Sequence, residues 1–166
     1  MKKPLFSMML CVVLLAMLAG PVSAKGAVQT PYTGIENPTY CFDPSVDPRC
    51  LLGSPGETIT LPNGNSFTRD VVWVIQFISA DPHFNGVTVA TVNIYPGVNN
   101  QMVIIGTWHL EPEGFDGYWE GPVITNFDAT GFLSRYTGQG YGDLEGMIIH
   151  GTNDNGNLSG VIIDLP

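Results

Sequence analysis

The most restrictive feature of the chain is a row of alternating glycines near its C-terminus, Gly138, Gly140 and Gly142. Side chains of a strand alternate between its two faces, so a strand over these residues has one face without side chains. A bare face lets a sheet bend sharply, or lets another group approach the backbone closely. The row therefore predicts a strand in a sheet that closes on itself.

Short apolar or alternating segments, separated by turn residues, follow one another from Glu57 onward, which is typical of an all-β protein. The strongest hairpin signal is the turn sequence 153–156, Asn-Asp-Asn-Gly. Eight strands are predicted, at residues 57–61, 71–79, 87–95, 102–110, 118–126, 132–141, 144–152 and 158–164.

Short connections between these strands predict antiparallel neighbours. Eight strands are enough to close a small barrel, and a two-sheet sandwich is the alternative layout. The alternating glycines favour the barrel, because closure requires strong local coiling of the sheet. We therefore predict an all-β fold, a single antiparallel eight-stranded barrel, closed or nearly closed, over residues 56–166.

The first 24 residues have the pattern of a signal peptide. Lys2 and Lys3 precede an apolar stretch from Met8 to Leu18, and small residues at 22–24 form a cleavage site. The apolar stretch is short for a membrane span, although an uncleaved N-terminal anchor is the alternative. The pattern predicts export to the periplasm or the extracellular medium, with no membrane association after cleavage.

Charge and length restrict what the mature chain can do. Removing 24 of the 166 residues leaves 142, which is enough for one domain with a substantial core. Four basic residues then stand against fifteen acidic ones, a net charge of −11. Nucleic acid is excluded as a partner, because phosphate contacts require clustered cations.

Residues 25–55 are rich in proline, glycine and asparagine, and predict an irregular N-terminal arm. Cys41 and Cys50 are the two cysteines that remain after signal cleavage. In an exported chain they predict one disulfide that staples the arm. A free-thiol or metal role is the alternative, but no further cysteine or histidine lies at metal-ligand spacing.

Three glycine- and aromatic-rich segments carry a resemblance to a known family: residues 106–112, 117–121 and 138–146. Across residues 68–164 the chain resembles the allene oxide cyclase-like barrels, a group that includes the plant dirigent proteins. It is most similar to small exported bacterial proteins associated with that barrel.

The resemblance implies a barrel fold. In that family the plant cyclases are trimers that cyclise an unsaturated fatty-acid epoxide inside the barrel, and dirigent proteins steer phenoxy-radical coupling. The segments that carry the resemblance match the family in glycines, aromatic residues and turns. They do not align the family's functional residues, so no functional residue is carried over to this chain.

Two histidines are candidates for general acid–base chemistry. His109 and His150 could point into one lumen beside Glu111, Glu145 or Glu120. Two histidines and a carboxylate could also bind zinc, but the spacing does not indicate a metal site, and none is predicted.

Other catalytic signatures are missing from the sequence. No Gly-x-Ser-x-Gly motif occurs, and the glycine row lacks the following helix of a phosphate-binding loop. His83 lies in a turn and is predicted to be exposed. No cofactor is predicted.

Aromatic residues provide candidates for ligand binding: Trp73, Trp108, Trp119 and Tyr141. The alternative is that the tryptophans fill the core, with the bare glycine face making room for an indole ring.

The segment Val71–Ser79 is apolar on both faces, so either the N-terminal arm or a second subunit is expected to cover its outside. Three functions follow. The first is non-enzymatic binding of a small apolar ligand or a protein partner, the second a cyclase or isomerase, and the third a structural homo-oligomer.

Overall fold

A computed structural model describes residues 26–37 and 47–166. The predicted signal peptide and Cys41 lie outside these residues. These residues form nine strands: β1 (Val28–Asn37), β2 (Glu57–Thr60), β3 (Ser66–Ser79), β4 (Gly86–Pro96), β5 (Met102–Pro112), β6 (Gly117–Asp128), β7 (Gly131–Gly142), β8 (Met147–Asp154) and β9 (Asn157–Asp164). In the same part of the chain, 3-10 helices span Pro48–Leu52 and Pro82–Phe84. Within the described residues, no helix is long and apolar enough to cross a membrane.

All nine strands belong to one antiparallel sheet in the order β1-β9-β8-β7-β6-β5-β4-β3-β2. An additional pairing of β1 with β3 closes eight of the strands into a ring. The closure is short and runs from the Gly34–Ser79 pair to the Asn37–Gln76 pair. The predicted antiparallel all-β class is confirmed, and the alternative of a two-sheet sandwich is wrong for the described residues.

The ring differs in one member from the predicted set of strands. Val28–Asn37 was expected to be irregular, but it pairs with β9 from Val28–Asp164 to Ile35–Asn157 and so forms a wall of the ring. Pro31 and Gly34 conceal its alternation, although Tyr32 faces the core at 4% exposure. The predicted first strand, β2, pairs only with β3 and lies outside the ring.

The edge of β3 that faces away from β4 is covered by three successive pieces of chain. β2 pairs with its first part, Ser54 forms a bridge with Val72, and β1 pairs with its end. The predicted arm therefore covers part of this edge, which limits edge-to-edge association. On the outer face of β3, Val72 and Val74 are half-buried, whereas Ile78 is 40% exposed.

The predicted hairpin between β8 and β9 is confirmed. Asn155 and Gly156 connect the two strands with φ angles of 50° and 88°. Positive φ at both central residues is what a type I′ turn requires, and asparagine and glycine adopt it most easily.

Two of the alternating glycines, Gly138 and Gly140, are buried on the inside of the ring, whereas Gly142 is exposed at the end of β7 with a φ angle of 64°. A Cβ atom on Gly138 would lie 2.7 Å from Cζ2 of Trp108, and one on Gly140 would lie 2.8 Å from Cβ of Leu144. The bare face of β7 therefore leaves room for an indole ring and a leucine, both of which are buried. Core filling is the alternative to ligand binding that the sequence allows for the tryptophans. Trp108 does fill the core against the bare glycine face.

One end of the ring interior is filled by Phe84, which is fully buried. Its ring centroid lies 4.4 Å from that of Tyr32, 5.3 Å from that of Phe77 and 5.8 Å from that of Tyr136. Such aromatic pairs are worth about 0.5–1.5 kcal/mol each beyond their buried area. The aromatic cluster closes the interior on the side of the β5–β6 and β7–β8 turns.

Candidate functional site

An interior cavity of about 470 Å³ extends from the aromatic cluster toward the β6–β7 and β8–β9 turns. Its volume is within the range of small-molecule binding pockets. The inward-facing side chains that line it come from β1 and β3 to β8. They include Glu36, Trp73, Ile75, Phe77, Thr88, Ala90, Val92, Ile104, Trp108, Val123, Thr125, Phe127, Phe132, Ser134, Tyr136 and Asn153.

One wall of the cavity, formed by β3, β4 and β5, is almost entirely apolar. Ala90 is paired with Trp73 on one side and with Trp108 on the other. The small alanine side chain between the two indoles leaves open space above β4. Trp73 is 36% exposed although it shares a face with the buried Phe77, because its indole borders this space.

The opposite wall carries a polar arc, which consists of Thr125, Ser134, Asn153 and Glu36. Thr125 pairs with Ser134 across β6 and β7, and Ser134 pairs with Asn153 across β7 and β8. The Thr125 and Ser134 hydroxyl oxygens are 2.8 Å apart, and Asn153 Nδ2 donates to Glu36 Oε2. The backbone N–H of Gly156 donates to Asn153 Oδ1 at 2.8 Å, which fixes the orientation of the amide.

Glu36 is the acidic member of the polar arc. Burial raises the pKa of its carboxyl above the ordinary value, because a low-dielectric environment disfavours the charged form. The hydrogen bond from Asn153 acts in the opposite direction but is the smaller influence. The cavity therefore favours a neutral Glu36 more than water does.

Thr88 is the polar side chain of the otherwise apolar wall. It is 2% exposed, and its neighbours on β3 and β5 are Ile75 and Leu110. Thr88 Oγ1 has no hydrogen-bond partner among the residues that the structure describes. A buried hydroxyl without a partner is unusual in folded proteins.

Tyr136 and Tyr32 form a buried hydroxyl pair at the inner end of the cavity. Tyr32 Oη donates to Tyr136 Oη at 2.8 Å. Burial is the main cause that raises the pKa of both phenols, so both stay neutral at ordinary pH. Gly151 and Gly160 provide the space beneath these hydroxyls.

The structure brings two of the four predicted ligand-binding residues, Trp73 and Trp108, to the cavity. Trp119 does not line it, since it is fully buried near the filled end, where its Nε1 donates to the carbonyl oxygen of His83 at 2.7 Å. Tyr141 also does not line it, because its position on β7 faces outward and its ring stacks on that of Tyr118 at 4.8 Å.

The catalytic candidates lie on the outer surface. His109 and Glu111 alternate with the inward-facing residues of β5, and His109 Nε2 is 3.5 Å from Glu111 Oε1. Glu120 Oε2 lies 4.0 Å from His109 Nδ1. His150 is exposed on β8, and Glu145 is exposed in the turn region between β7 and β8. The common lumen that the acid–base hypothesis requires does not form, because strand alternation turns these side chains outward.

A second cavity of about 360 Å³ lies at the other end of the ring and includes Thr30, Asp81, His83, Met147 and Asp164. His83 Nδ1 is 2.9 Å from Asp81 Oδ1, and its side chain is 34% exposed, less than its turn position predicts. No group of three histidine, cysteine or acidic residues within the described ranges could hold a metal ion.

Cys50 is buried in the 3-10 helix that precedes β2. The predicted Cys41–Cys50 disulfide stays a prediction, because Cys41 lies outside the described residues.

Comparison with known proteins gave no match to any family model, curated protein or solved structure. The resemblance to the allene oxide cyclase-like barrels therefore stays a prediction.

Proposed function

We propose that this protein is an exported binding protein that holds a small, mainly apolar ligand inside a closed eight-stranded barrel. The observation that carries the proposal is the interior cavity of about 470 Å³, with two indoles and a mainly apolar wall. Apolar surface of this kind gains free energy when a ligand replaces water. The polar side chains around the cavity would then orient the ligand.

A binding role agrees better than catalysis with the positions of the titratable groups. His109, His150, Glu111 and Glu145 face outward, so none of them could transfer a proton to a molecule in the cavity. A cyclase or isomerase would therefore depend on residues other than those that the sequence indicated.

Export and the stapled arm belong to the same proposal. Cleavage after residue 24 and a Cys41–Cys50 disulfide would give a mature chain that suits an oxidising compartment. Intact mass measured on the secreted protein before and after reduction tests both points. We expect a chain that begins at Lys25 and gains two hydrogens on reduction; a full-length or already reduced chain would contradict this.

A protein partner or a homo-oligomer is the second candidate, and the outer face of β5 and β6 favours it. Ile105 and Ile124 are paired across these strands and are 46% and 41% exposed, with Val103 nearby on the same face. Adjacent exposed isoleucines are typical of contact surfaces. Light scattering over a wide concentration range tests self-association, and the double variant Ile105→Lys/Ile124→Lys should abolish any oligomer it detects.

Ligand binding is tested by filling the cavity. Ala90→Leu places a larger side chain between Trp73 and Trp108, whereas Thr91→Leu on the same strand points outward and is the matched control. Tryptophan fluorescence of the mature chain is titrated with naphthalene, an apolar probe of fitting size. We expect Ala90→Leu to weaken binding about tenfold or more, and Thr91→Leu to leave it unchanged.

The melting temperature of each variant without naphthalene shows that it is folded. Equal affinity in both variants would place the probe outside the cavity. The absence of any binding of naphthalene by the wild-type chain would overturn the proposed function.

A further inference from the structure

We propose that the ligand is an uncharged, mainly apolar molecule that carries a hydroxyl or carbonyl group, and that Thr88 selects it by a hydrogen bond. The proposal rests on the proposed function, and it specifies the class of ligand and one residue that recognises it.

The Thr88 hydroxyl points to a ligand that carries an oxygen atom. It is 2% exposed, lines the cavity, and has no hydrogen-bond partner within the described part of the chain. Its paired neighbours, Ile75 and Leu110, offer only aliphatic side chains. Leaving a buried hydroxyl unpaired costs free energy, and a ligand oxygen placed against it would recover that cost.

Thr88 also interrupts an otherwise apolar wall. Ala90 and Val92 continue the inward face of β4 beyond Thr88. A valine would fill the same volume there without an unpaired hydroxyl, so packing alone does not account for a threonine. A hydroxyl can donate one hydrogen bond and accept others, which suits both a hydroxyl and a carbonyl on the ligand.

The polar arc on the facing wall has unused hydrogen-bonding capacity. Thr125 and Ser134 use one donor and one acceptor between them, so the pair keeps a second donor and spare lone pairs. Asn153 keeps one amide hydrogen beyond the one that it donates to Glu36. The facing wall can therefore bind a second neutral oxygen, but it presents no fixed charge of its own apart from Glu36.

The side chains around the cavity disfavour a ligand that is itself charged. None of the described residues that line the cavity is a lysine or an arginine, so a carboxylate inside it would have no counter-charge. Burial of an unpaired ion costs several kcal/mol. A cationic amine would require an ionised Glu36, and burial holds that carboxyl toward its neutral form.

The experiment compares four probes with the same ring system: naphthalene, naphthol, naphthoate and naphthylmethylamine. Tryptophan fluorescence of the mature chain gives the dissociation constant of each at neutral pH. The variant Thr88→Val removes the hydroxyl and keeps the shape, and it should fold at least as well as the wild type because it removes an unpaired polar group. The outward-facing Thr91→Val on the same strand is the matched control.

We expect the wild type to bind naphthol about tenfold more tightly than naphthalene, and to bind both charged probes more weakly than naphthol. Thr88→Val should lose the preference for naphthol and bind naphthalene unchanged or more tightly, whereas Thr91→Val should behave as the wild type. A preference for naphthol that survives in Thr88→Val overturns the role of Thr88.

Tightest binding of the carboxylate or of the amine would overturn the assignment of an uncharged ligand, while the cavity would remain a binding site. Equal binding of naphthalene and naphthol by the wild type would overturn the assignment of a hydroxyl or carbonyl group to the ligand, and the cavity would again remain a binding site. If no probe binds, the proposed function itself fails and this inference fails with it.

Discussion

Asn153 donates a hydrogen bond to Glu36 although the two residues lie on strands that are not neighbours. β9 runs between β8 and β1, and the contact crosses it on the inside of the ring. The pair therefore joins the last hairpin of the chain to its first strand, close to the place where β1 pairs with β3 and closes the ring. It is a structural link and also part of the polar arc.

The Glu36 carboxyl makes stability depend on pH. Burial raises its pKa in the folded state above the value in the unfolded chain, so the folded state binds its proton more tightly. The resulting stabilisation is complete below pH 4.5, the pKa of the carboxyl in the unfolded chain. It is lost as pH rises through the higher pKa that the carboxyl has in the folded state. Glu36→Gln, which cannot ionise, should therefore gain melting temperature relative to the wild type as pH rises from about 4 to 7.

Glu145→Gln, in the exposed turn region between β7 and β8, is the control for the general effect of removing one negative charge. The melting temperature of Glu145→Gln should change with pH nearly in parallel with that of the wild type across the same range. If the melting temperature of Glu36→Gln also changed with pH in parallel with that of the wild type, burial would not raise the pKa of Glu36.

Gly138 should tolerate no side chain in the presence of Trp108. A Cβ atom there would lie 2.7 Å from Cζ2 of Trp108 and 3.0 Å from Cγ2 of Ile149. We expect Gly138→Ala to lower the free energy of unfolding by about 1–3 kcal/mol, as overpacked cores do. Urea denaturation measures the change, and Gly26→Ala, where nothing lies within 4 Å of the new atom, is the neutral control.

The double variant Gly138→Ala/Trp108→Phe tests whether the clash with the indole of Trp108 causes this loss of stability. The smaller ring should relieve the clash, so the two changes together should cost less than the sum of their separate effects. Additive effects would show that the strand, and not the indole, limits position 138.

Phe84 should be the side chain whose removal lowers the free energy of unfolding most. It is fully buried and its ring lies within 6.3 Å of those of Tyr32, Phe77, Tyr136 and Trp108. Phe84→Ala should lower the free energy of unfolding by about 3–5 kcal/mol, because it leaves a cavity inside the ring. Chemical denaturation measures it, and a loss below about 1 kcal/mol would contradict the account of the filled end.

The Tyr32–Tyr136 pair should show strong coupling. Tyr136→Phe leaves the Tyr32 hydroxyl buried without its acceptor, so it should cost about 1–3 kcal/mol. The double variant Tyr32→Phe/Tyr136→Phe removes both polar groups and should be close to the wild type in stability. A double-mutant cycle in urea gives the coupling, and a value near zero would show that the hydroxyls do not depend on each other.

Strand alternation and turn chemistry made most of the sheet predictable. All eight predicted strands occur within a few residues of their expected ends, and Asn155 and Gly156 form the expected turn. The strand that closes the ring was not predicted, because Pro31 and Gly34 interrupt its pattern and its partner β3 is distant in sequence. Pairing between distant segments leaves little trace in a single sequence.

The cavity was predictable only in part. Trp108 stands between the polar residues Thr107 and His109, so its inward position could be predicted from alternation. Trp73 stands between two valines in a segment that is apolar on both faces, so its inward position could not. The polar arc was missed, although Thr125 and Ser134 lie at the inward positions of one hairpin and could have been recognised as polar residues in an apolar pattern. Glu36 could not have been recognised from the sequence, because only the closed ring brings it into contact with Asn153 of β8.

The most direct test of a ligand site inside the ring is nuclear magnetic resonance of isotope-labelled isoleucine methyl groups in the mature chain, with naphthalene added. Ile104 faces the cavity and Ile105, next to it on β5, faces outward. We predict through-space contacts from naphthalene to the methyl groups of Ile104 and Ile75 and none to that of Ile105. Contacts to Ile105 and its outward-facing partner Ile124, with none to Ile104, would contradict a ligand site inside the ring.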